Sequence, residues 1–408
     1  MPGYYKIKHI LLIMAICFIG GCGTGRQDTA DNITNQNTVN TKVTDEAMPT
    51  VTKVLTDDTE IADEAKLKKA IAYINDKKYP QAIGLLSQIK DDVQAENLLK
   101  QLRYIISGDY IANLGSGIAA IDNKGKVKIV IDDSLYKYYR YDEVSEWTDI
   151  KRLSFAGSRL DALDKGGNIH STIDTDSSYL YVADQLKSYT DLEIISTNYN
   201  NYALLSGTGN IYTYSEIYSD VLELYKDYIS SWNDIVDVVS GDLRIAALKS
   251  DGTVYIADYN KYVNPLYGYL YDEIADWTDI VAISAGPTGS IAGLKSDGTV
   301  VVSTSYYINM ATYISFDVSD WKDVIAISKS NTTLLGLKRD GTVVATGDNS
   351  QKQLEVSDWT DIVAVAAGNW ISIGLKADGT LVVAGKTESG TTLDVSGVKD
   401  LYVPIVTY

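Results

Sequence analysis

Nucleophiles and general bases are scarce in this sequence of 408 residues. It holds two cysteines, Cys17 and Cys22, and two histidines, His9 and His170. With a single imidazole and no thiol beyond the first 22 residues, neither a Ser-His-Asp nor a Cys-His relay can be assembled. A multi-histidine zinc site is excluded on the same count. His170 follows a turn and reads as a half-exposed strand residue. Carboxylates are the remaining acid–base groups. Asp132-Asp133, Asp174 with Asp176, and Asp272-Glu273 sit in inserts that could face a common cleft, the arrangement glycoside cleavage needs. Such pairs more often serve as solvated loop residues. A carboxylate-dependent glycan hydrolase or lyase therefore stands only as an alternative. No phosphate-cradling Gly-x-x-x-x-Gly-Lys-Ser/Thr loop, dinucleotide fingerprint or twelve-residue calcium loop occurs, so no metal, cofactor or nucleotide is expected.

Cys22 is the exception, a thiol whose setting suggests its chemistry. Lys6 and Lys8 precede the apolar run Ile10–Ile19, too short to span a bilayer and suited to a signal-peptide core. Ile19-Gly20-Gly21-Cys22 then resembles the bacterial lipobox, where small residues suit the peptidase and the new N-terminal thiol accepts the lipid. Residues 1–21 are read as a lipoprotein signal peptide and Cys22 as the lipidated residue. The expected address is the extracytoplasmic face of a bacterial membrane, held by more than one acyl chain. The net charge of −18 repels phosphate backbones and argues against nucleic acid.

Three kinds of element follow. Residues 22–56 are rich in Thr, Asn, Asp and Gln without an apolar face, the composition of a disordered tether. From about Ile61 the period turns helical, with Ala70, Ile71 and Ile74 on one face, a break at Asp76–Pro80, and Ala82, Ile83, Leu85, Leu86 and Ile89 beyond it. A third helical run covers Val93–Tyr104. Residues 57–105 thus form a short helical segment, readable as a structural collar or as a peptide-docking groove. From 106 to 408 two markers repeat out of phase. Hairpin glycines recur at Gly125, Gly167, Gly209, Gly252, Gly298, Gly341 and Gly379. An aromatic-x-Asp-aliphatic signature recurs from Trp147–Ile150 through Trp359–Ile362, with a degenerate copy at Val398–Leu401. Asp-Gly between apolar alternations marks a two-residue hairpin, and a shared period near 40 residues marks a repeat array. Three or four short strands per repeat read as propeller blades.

The first hairpin lacks a preceding Trp-x-Asp strand and the last such strand, Lys399–Val403, lacks a following hairpin. A C-terminal strand that completes the first blade resolves both, and leaves no open sheet edge. The expected fold class is mainly β: a seven-bladed β-propeller closed by the C-terminal strand, with a small N-terminal α-helical segment. Small pairs such as Ala119-Ala120, Ala246-Ala247 and Ala292-Gly293 are expected where blades crowd at the axis. The aspartates repeated in every blade, Asp149, Asp191, Asp234, Asp279, Asp323, Asp361 and Asp400, read as turn or strand-start hydrogen-bonders, and the Trp beside them as blade core.

These Leu-Lys-x-Asp-Gly-Thr-Val hairpins, the Trp-Thr-Asp-Ile-Val-Ala strands and Gly347-Asp-Asn-Ser-Gln-Lys-Gln-Leu354 resemble the regulator-of-chromosome-condensation repeat family in its short bacterial secreted form. Lys352 stands where that family's motif carries Gly. The resemblance spans about residues 106–408 and implies a seven-bladed propeller that binds a target with one face. The founder's nucleotide exchange is not implied, since its exchange loop has no counterpart. Ala70-x-x-Tyr73 with Tyr79-Pro-Gln-Ala82-Ile83 resembles one tetratricopeptide motif.

Tyrosine is the last anomaly, 31 residues against three Phe. Many fall between a hairpin and the next Trp, among them Tyr139, Tyr141, Tyr225, Tyr267, Tyr269, Tyr306 and Tyr307. A rigid ring with a polar tip suits a binding surface, and it equally suits an outer strand. The reading that follows is a non-enzymatic, lipid-anchored surface protein whose propeller face presents those tyrosines to an extracellular protein or glycan. A scaffold docking through the helical unit is the alternative within the binding class.

Overall fold

Seven runs of apolar alternation, each broken by tight turns, fold as seven three-stranded antiparallel sheets among the described residues. The computed structural model describes residues 52–131, 136, 141–157, 159–172, 188–198, 201–215, 219–241, 244–258, 272–287, 289–303 and 314–408. Lys53–Tyr408 is one compact unit. Sheet 1 is β1 (Ile111–Asn113), β2 (Gly117–Ile121) and β3 (Val127–Ile131). Sheet 2 is β4 (Ile150–Ala156), β5 (Arg159–Asp164) and β6 (Ile169–Ser171), and sheet 3 is β7 (Leu192–Asn198), β8 (Asn201–Ser206) and β9 (Ile211–Ser215). Sheet 4 holds β10 (Ile235–Ser240), β11 (Arg244–Lys249) and β12 (Val254–Asp258). Sheet 5 holds β13 (Ile280–Ala285), β14 (Ile291–Lys295) and β15 (Val300–Val302). Sheet 6 runs β16 (Val324–Lys329), β17 (Thr333–Lys338), β18 (Val343–Gly347), and sheet 7 runs β19 (Ile362–Ala367), β20 (Ile371–Lys376), β21 (Leu381–Gly385).

One sheet explains the others. In sheet 5, Ile280, Val281, Ala282 and Ile283 of the first strand and Ile291, Ala292 and Leu294 of the middle strand are all buried. Neighbouring sheets cover both faces, which is why these strands read as continuous apolar runs. The hairpin that follows is fixed locally. Gly298 takes φ +85°, and Asp297 Oδ1 accepts from the Thr299 amide at 2.8 Å and the Thr299 hydroxyl at 2.6 Å. Asp251, Asp340 and Asp378 repeat this arrangement with Thr253, Thr342 and Thr380. In sheets 5–7 the glycine before the hairpin makes room for a tryptophan of its own sheet rather than for a neighbouring blade. A Cβ on Gly293, Gly336 or Gly374 would meet the ring of Trp277, Trp321 or Trp359 at 2.9, 2.7 or 2.9 Å. In these three sheets the tryptophan lies across its own middle strand, and that strand must be small there.

Sheets are joined by a repeated backbone device. The hairpin glycine carbonyl of one sheet accepts the amide that opens the next: Ile150 N to Gly125 O, Ile280 N to Gly252 O, Val324 N to Gly298 O and Ile362 N to Gly341 O. Within its own sheet, the aspartate before the first strand accepts an amide of that sheet's hairpin on its carbonyl, as with Ser296 N to Asp279 O and Ala377 N to Asp361 O. All seven aspartates, Asp149 through Asp400, have φ between 54° and 61°. Asp is chosen because it tolerates the left-handed region, and its backbone carbonyl rather than a capping side chain takes the hairpin amide. Nearer the axis, a serine hydroxyl accepts the backbone amide of the following sheet. Ser196 receives Ser240 N at 2.9 Å, Ser284 receives Lys329 N at 3.0 Å and Ser328 receives Ala367 N at 2.9 Å.

The first strands touch in sequence from β1 to β19, and β19 touches β1. Sheet 1 is built differently from the rest. Its first strand is only Ile111–Asn113, and Leu401 forms an isolated antiparallel bridge with Asp122. Leu401 N donates to Gly379 O, Asn123 N to Asp400 O and Tyr402 N to Ile121 O, the same joint that the other sheets make. Asn113 Nδ2 also donates to Ile371 O of sheet 7 at 2.8 Å.

Three helices precede sheet 1: α1 (Thr52–Asn75), α2 (Tyr79–Leu86) and α3 (Val93–Ser107). α1 begins at Thr52, inside the stretch expected as a tether. The remainder of that stretch lies outside the described residues, as does Cys22. Asp92 Oδ1 caps α3 through Ala95 N at 2.8 Å, and Gly108 at φ +70° ends it. Ile83, Leu86, Leu98, Leu102 and Ile106 share one core with Val281, Val324, Ile325 and Ile362. The helices therefore pack on sheets 5–7. Burying five such side chains contributes on the order of 10 kcal/mol before entropy. An insert expected to be strand or loop is instead helix α4 (Ser219–Ser230), and Asp272-Glu273 open the short helix α5 (Asp272–Ala275). Asp132, Asp133, Asp174 and Asp176 lie outside the described residues.

Candidate ligand cleft beneath the third helix

Six first strands carry a register shift two residues after their opening aliphatic. Such a bulge tightens the twist and re-aims a side chain. The residue there is Ala282, Ala326 and Ala364 in sheets 5–7, where the helices pack, but Arg152, Ile194 and Asp237 in sheets 2–4. On that side α3 leaves a cavity of about 460 Å³. The charged exceptions to the repeat and the gap under the helix coincide.

Arg103 enters the cavity from α3. Its one hydrogen bond among the described residues is long, Nη2 to Ser87 Oγ at 3.4 Å, and its buried Nε has no partner. Burial draws the guanidinium pKa down to about 10 against the opposing pull of Asp237. Asp237 accepts its neighbour's amide, Val238 N, at 2.8 Å. Burial, then the charge of Asp109, push its carboxyl up to about 7, and Arg152 and Arg103 only partly offset this. The side chain keeps some open surface, yet protein crowds the carboxylate closely, and the crowding governs its proton.

Arg152 pairs with Asp109, donates to Ser107 Oγ at 3.2 Å and lies 5.1 Å over the Tyr104 ring. Glu193 sits between Lys100 at 2.6 Å and Lys151 at 3.7 Å. Burial raises the Glu193 carboxyl, but the Lys100 hydrogen bond and the Lys151 charge outweigh it and hold it below its usual range. Arg152 and Glu193 are thus already paired, while the Arg103 fork is not. Leu99, Ile106, Ile194 and Leu205 give the cavity an apolar wall.

A second cavity of about 210 Å³ runs between the first strands of all seven sheets. Of its six lining serines, Ser154, Ser196, Ser284 and Ser328 accept backbone amides of the following sheet. Lys329 is buried on its wall, donating to Ser330 O at 2.9 Å with its ammonium 3.9 Å from the Phe316 ring centre. Burial lowers its pKa to about 7.

The residues expected to bind a partner fall in two groups. Tyr139, Tyr267, Tyr269, Tyr306 and Tyr307 lie outside the described residues. Tyr141 and Tyr225 are corrected: neither presents its ring to solvent. Tyr141 starts the turn Tyr141–Glu146 and is fully buried edge-on to Tyr136, because a short helical turn folds it back onto sheet 1. Tyr225 lies on α4 and its hydroxyl donates to Asp258 O at 2.5 Å beneath the helix. His170 is half-buried, 3.1 Å from Asp164 Oδ2 and 5.7 Å from the Trp147 ring. Arg103, Arg152 and Asp237 escaped the sequence reading. Superposing the seven repeats would have exposed the last two, since each replaces the alanine of sheets 5–7.

No known family model matches the chain, and no curated protein does. Among solved structures it is similar to the CRINKLY WD40 ectodomain of the Arabidopsis thaliana receptor kinase ACR4. That likeness has 13% identity over 70% of this chain and 97% of the other, with a TM-score of 0.48. It is similar to yeast RCC1 (Prp20) in complex with Kap60 at 16% identity over 72% and 81%, TM-score 0.43. It is also similar to the WD40 β-propeller domain of Doa1 at 11% identity over 69% and 94%, TM-score 0.39.

Proposed function

We propose that this chain is a non-enzymatic binding protein, anchored by lipid at Cys22 on the outer side of a bacterial membrane. In this reading the seven sheets are blades of a propeller of the regulator-of-chromosome-condensation type, closed where Asp400–Tyr402 completes the first blade. The helices form a collar over one face, and an extracellular protein or glycan is captured at that face. The observation that carries the reading is the cleft under α3. There the repeat departs from its own alanine rule, and a buried guanidinium is left without a full set of partners. A purely structural wheel gains nothing from such a position, because an unpaired buried donor costs about 1–3 kcal/mol.

Two measurements test it. Full-length protein made in bacteria is fractionated as wild type and as Cys22→Ala. Wild type should sediment with membranes and take up labelled palmitate, whereas the variant should stay soluble and unlabelled. Equal partitioning of the two removes the anchor from the proposal. Capture of envelope proteins and cell-wall glycans by wild type is then compared with Arg103→Met and with a Tyr267, Tyr269, Tyr307 triple alanine variant. Loss with Arg103→Met places capture at the cleft. Loss only with the tyrosine variant moves it to the inserts.

A further inference from the structure

We infer that the cleft beneath α3 receives an organic carboxylate joined to an apolar group, with the carboxylate on Arg103 and the apolar part against Leu99, Ile106, Ile194 and Leu205. The inference rests on the reading of this cleft as a binding site and specifies what enters it. Four features of the cavity support it. The Arg103 fork is planar, carries five donors, and spends one of them on a long bond to Ser87. The nearby cations Arg152, Lys100 and Lys151 are already engaged by Asp109 and Glu193, whereas Arg103 has no ion-pair partner among the described residues. Asp237, its nearest acid, stands too far for an ion pair, with no salt bridge between the two among the described residues. Four aliphatic side chains line the same space, which suits a chain-end residue or an acyl group better than a sugar acid.

The site also contains its own competitor. Asp237 faces Arg103, Arg152 and Asp109, with Glu96, Lys100 and Glu193 lining the same cavity, and it gains negative charge as pH rises through about 7. An incoming carboxylate then meets a second anion at the same guanidinium. Binding should therefore weaken from pH 6 to pH 8, and Asp237→Asn should bind more tightly and lose most of this dependence.

Titration calorimetry on the full chain decides the matter. The probes are N-acetyl-leucine and octanoate, their neutral counterparts N-acetyl-leucinamide and octanol, and glucuronate. We expect at least one of the two apolar carboxylates to bind, at least tenfold more tightly than its neutral counterpart. N-acetyl-leucine over octanoate identifies a peptide end, and the reverse identifies an acyl chain. Arg103→Met should weaken binding at least tenfold, with Arg103→Lys recovering only part of it. Should Arg103→Met fail to fold, the pH profile of Asp237→Asn carries the test instead. Equal binding of acid and neutral probes overturns the carboxylate assignment while leaving a ligand cleft. Preference for glucuronate overturns the apolar part. Binding of none of the five overturns the inference and the reading beneath it together.

Discussion

Two lysines show how single residues depart from what their positions favour. Lys352 holds φ +70°, a left-handed conformation that costs an L side chain about 1–2 kcal/mol. Its ion pair with Glu355 at 3.6 Å is exposed and returns little. Lys352→Gly should stabilise the protein by up to about 1 kcal/mol, because the greater freedom of Gly in the unfolded chain offsets part of the relief. A higher urea midpoint at unchanged slope would register it. Lys329 is the stronger case. Its folded pKa falls from 10.5 to about 7 through burial, so between these values the unfolded chain binds a proton that the folded one does not. Stability from this group must rise with pH across that window, and is lowest below about 7. Lys329→Met should therefore raise the melting temperature most near pH 6, with the gain shrinking toward pH 10; a pH-independent difference would refute the assignment. Lys352 was legible, because it replaces a glycine in a local motif whose geometry is short-range. Lys329 was not. Nothing in Ile-Ala-Ile-Ser-Lys-Ser distinguishes an ammonium that reaches solvent from one trapped over Phe316.

The elements owe their positions to joints more than to propensity. The first strands of sheets 2–7 each open on a left-handed aspartate, and four of them carry an axial serine four residues after the opening aliphatic, at Ser154, Ser196, Ser284 and Ser328. Removing one serine hydroxyl strands a buried amide of the next sheet. Ser328→Ala should cost about 1–2 kcal/mol through Ala367 N, measured by denaturant unfolding. At the aspartates the backbone conformation matters more than the carboxylate, so Asp361→Gly should be nearly neutral. Asp361→Val should cost about 2 kcal/mol or more, since a branched Cβ resists φ near 60°. Equal losses for the two would return the role to the side chain. Hairpins and strands could be read from sequence because Asp-Gly-Thr closes its own turn within three residues. Helix α4 could not be separated from the tyrosine-rich strands around it. Tyr225 and Ile229 follow helical spacing, but tyrosine's preference for strands speaks equally strongly for the other period. Tyr141 failed for a related reason: a ring expected on the binding face lies on a turn that faces inward.

At the scale of the molecule, order depends on one contact between distant segments. Leu401 is 2% exposed, pairs with Asp122 and supplies the amide that Gly379 needs. Leu401→Asp buries a charge at this joint and should lower the melting temperature by ten degrees or more, while Ile405→Asp, on an exposed neighbour, should leave it unchanged. The offset between the two repeat markers pointed to this meeting of ends, because periodicity survives in sequence. The cleft did not announce itself, since α3 reaches sheets 2–4 only after the chain has folded back on itself, and no local pattern records who becomes whose neighbour. The split first strand of sheet 1 has a consequence for biogenesis. A chain made from its N-terminus presents β2 long before Leu401 is available to meet it. Until the tail crosses, the product is an unfinished fan with one raw border, the species most exposed to proteases and to mispairing with its own copies. Folding then ends with the capture of Leu401 at Asp122, which makes that joint the timing step for the seven sheets.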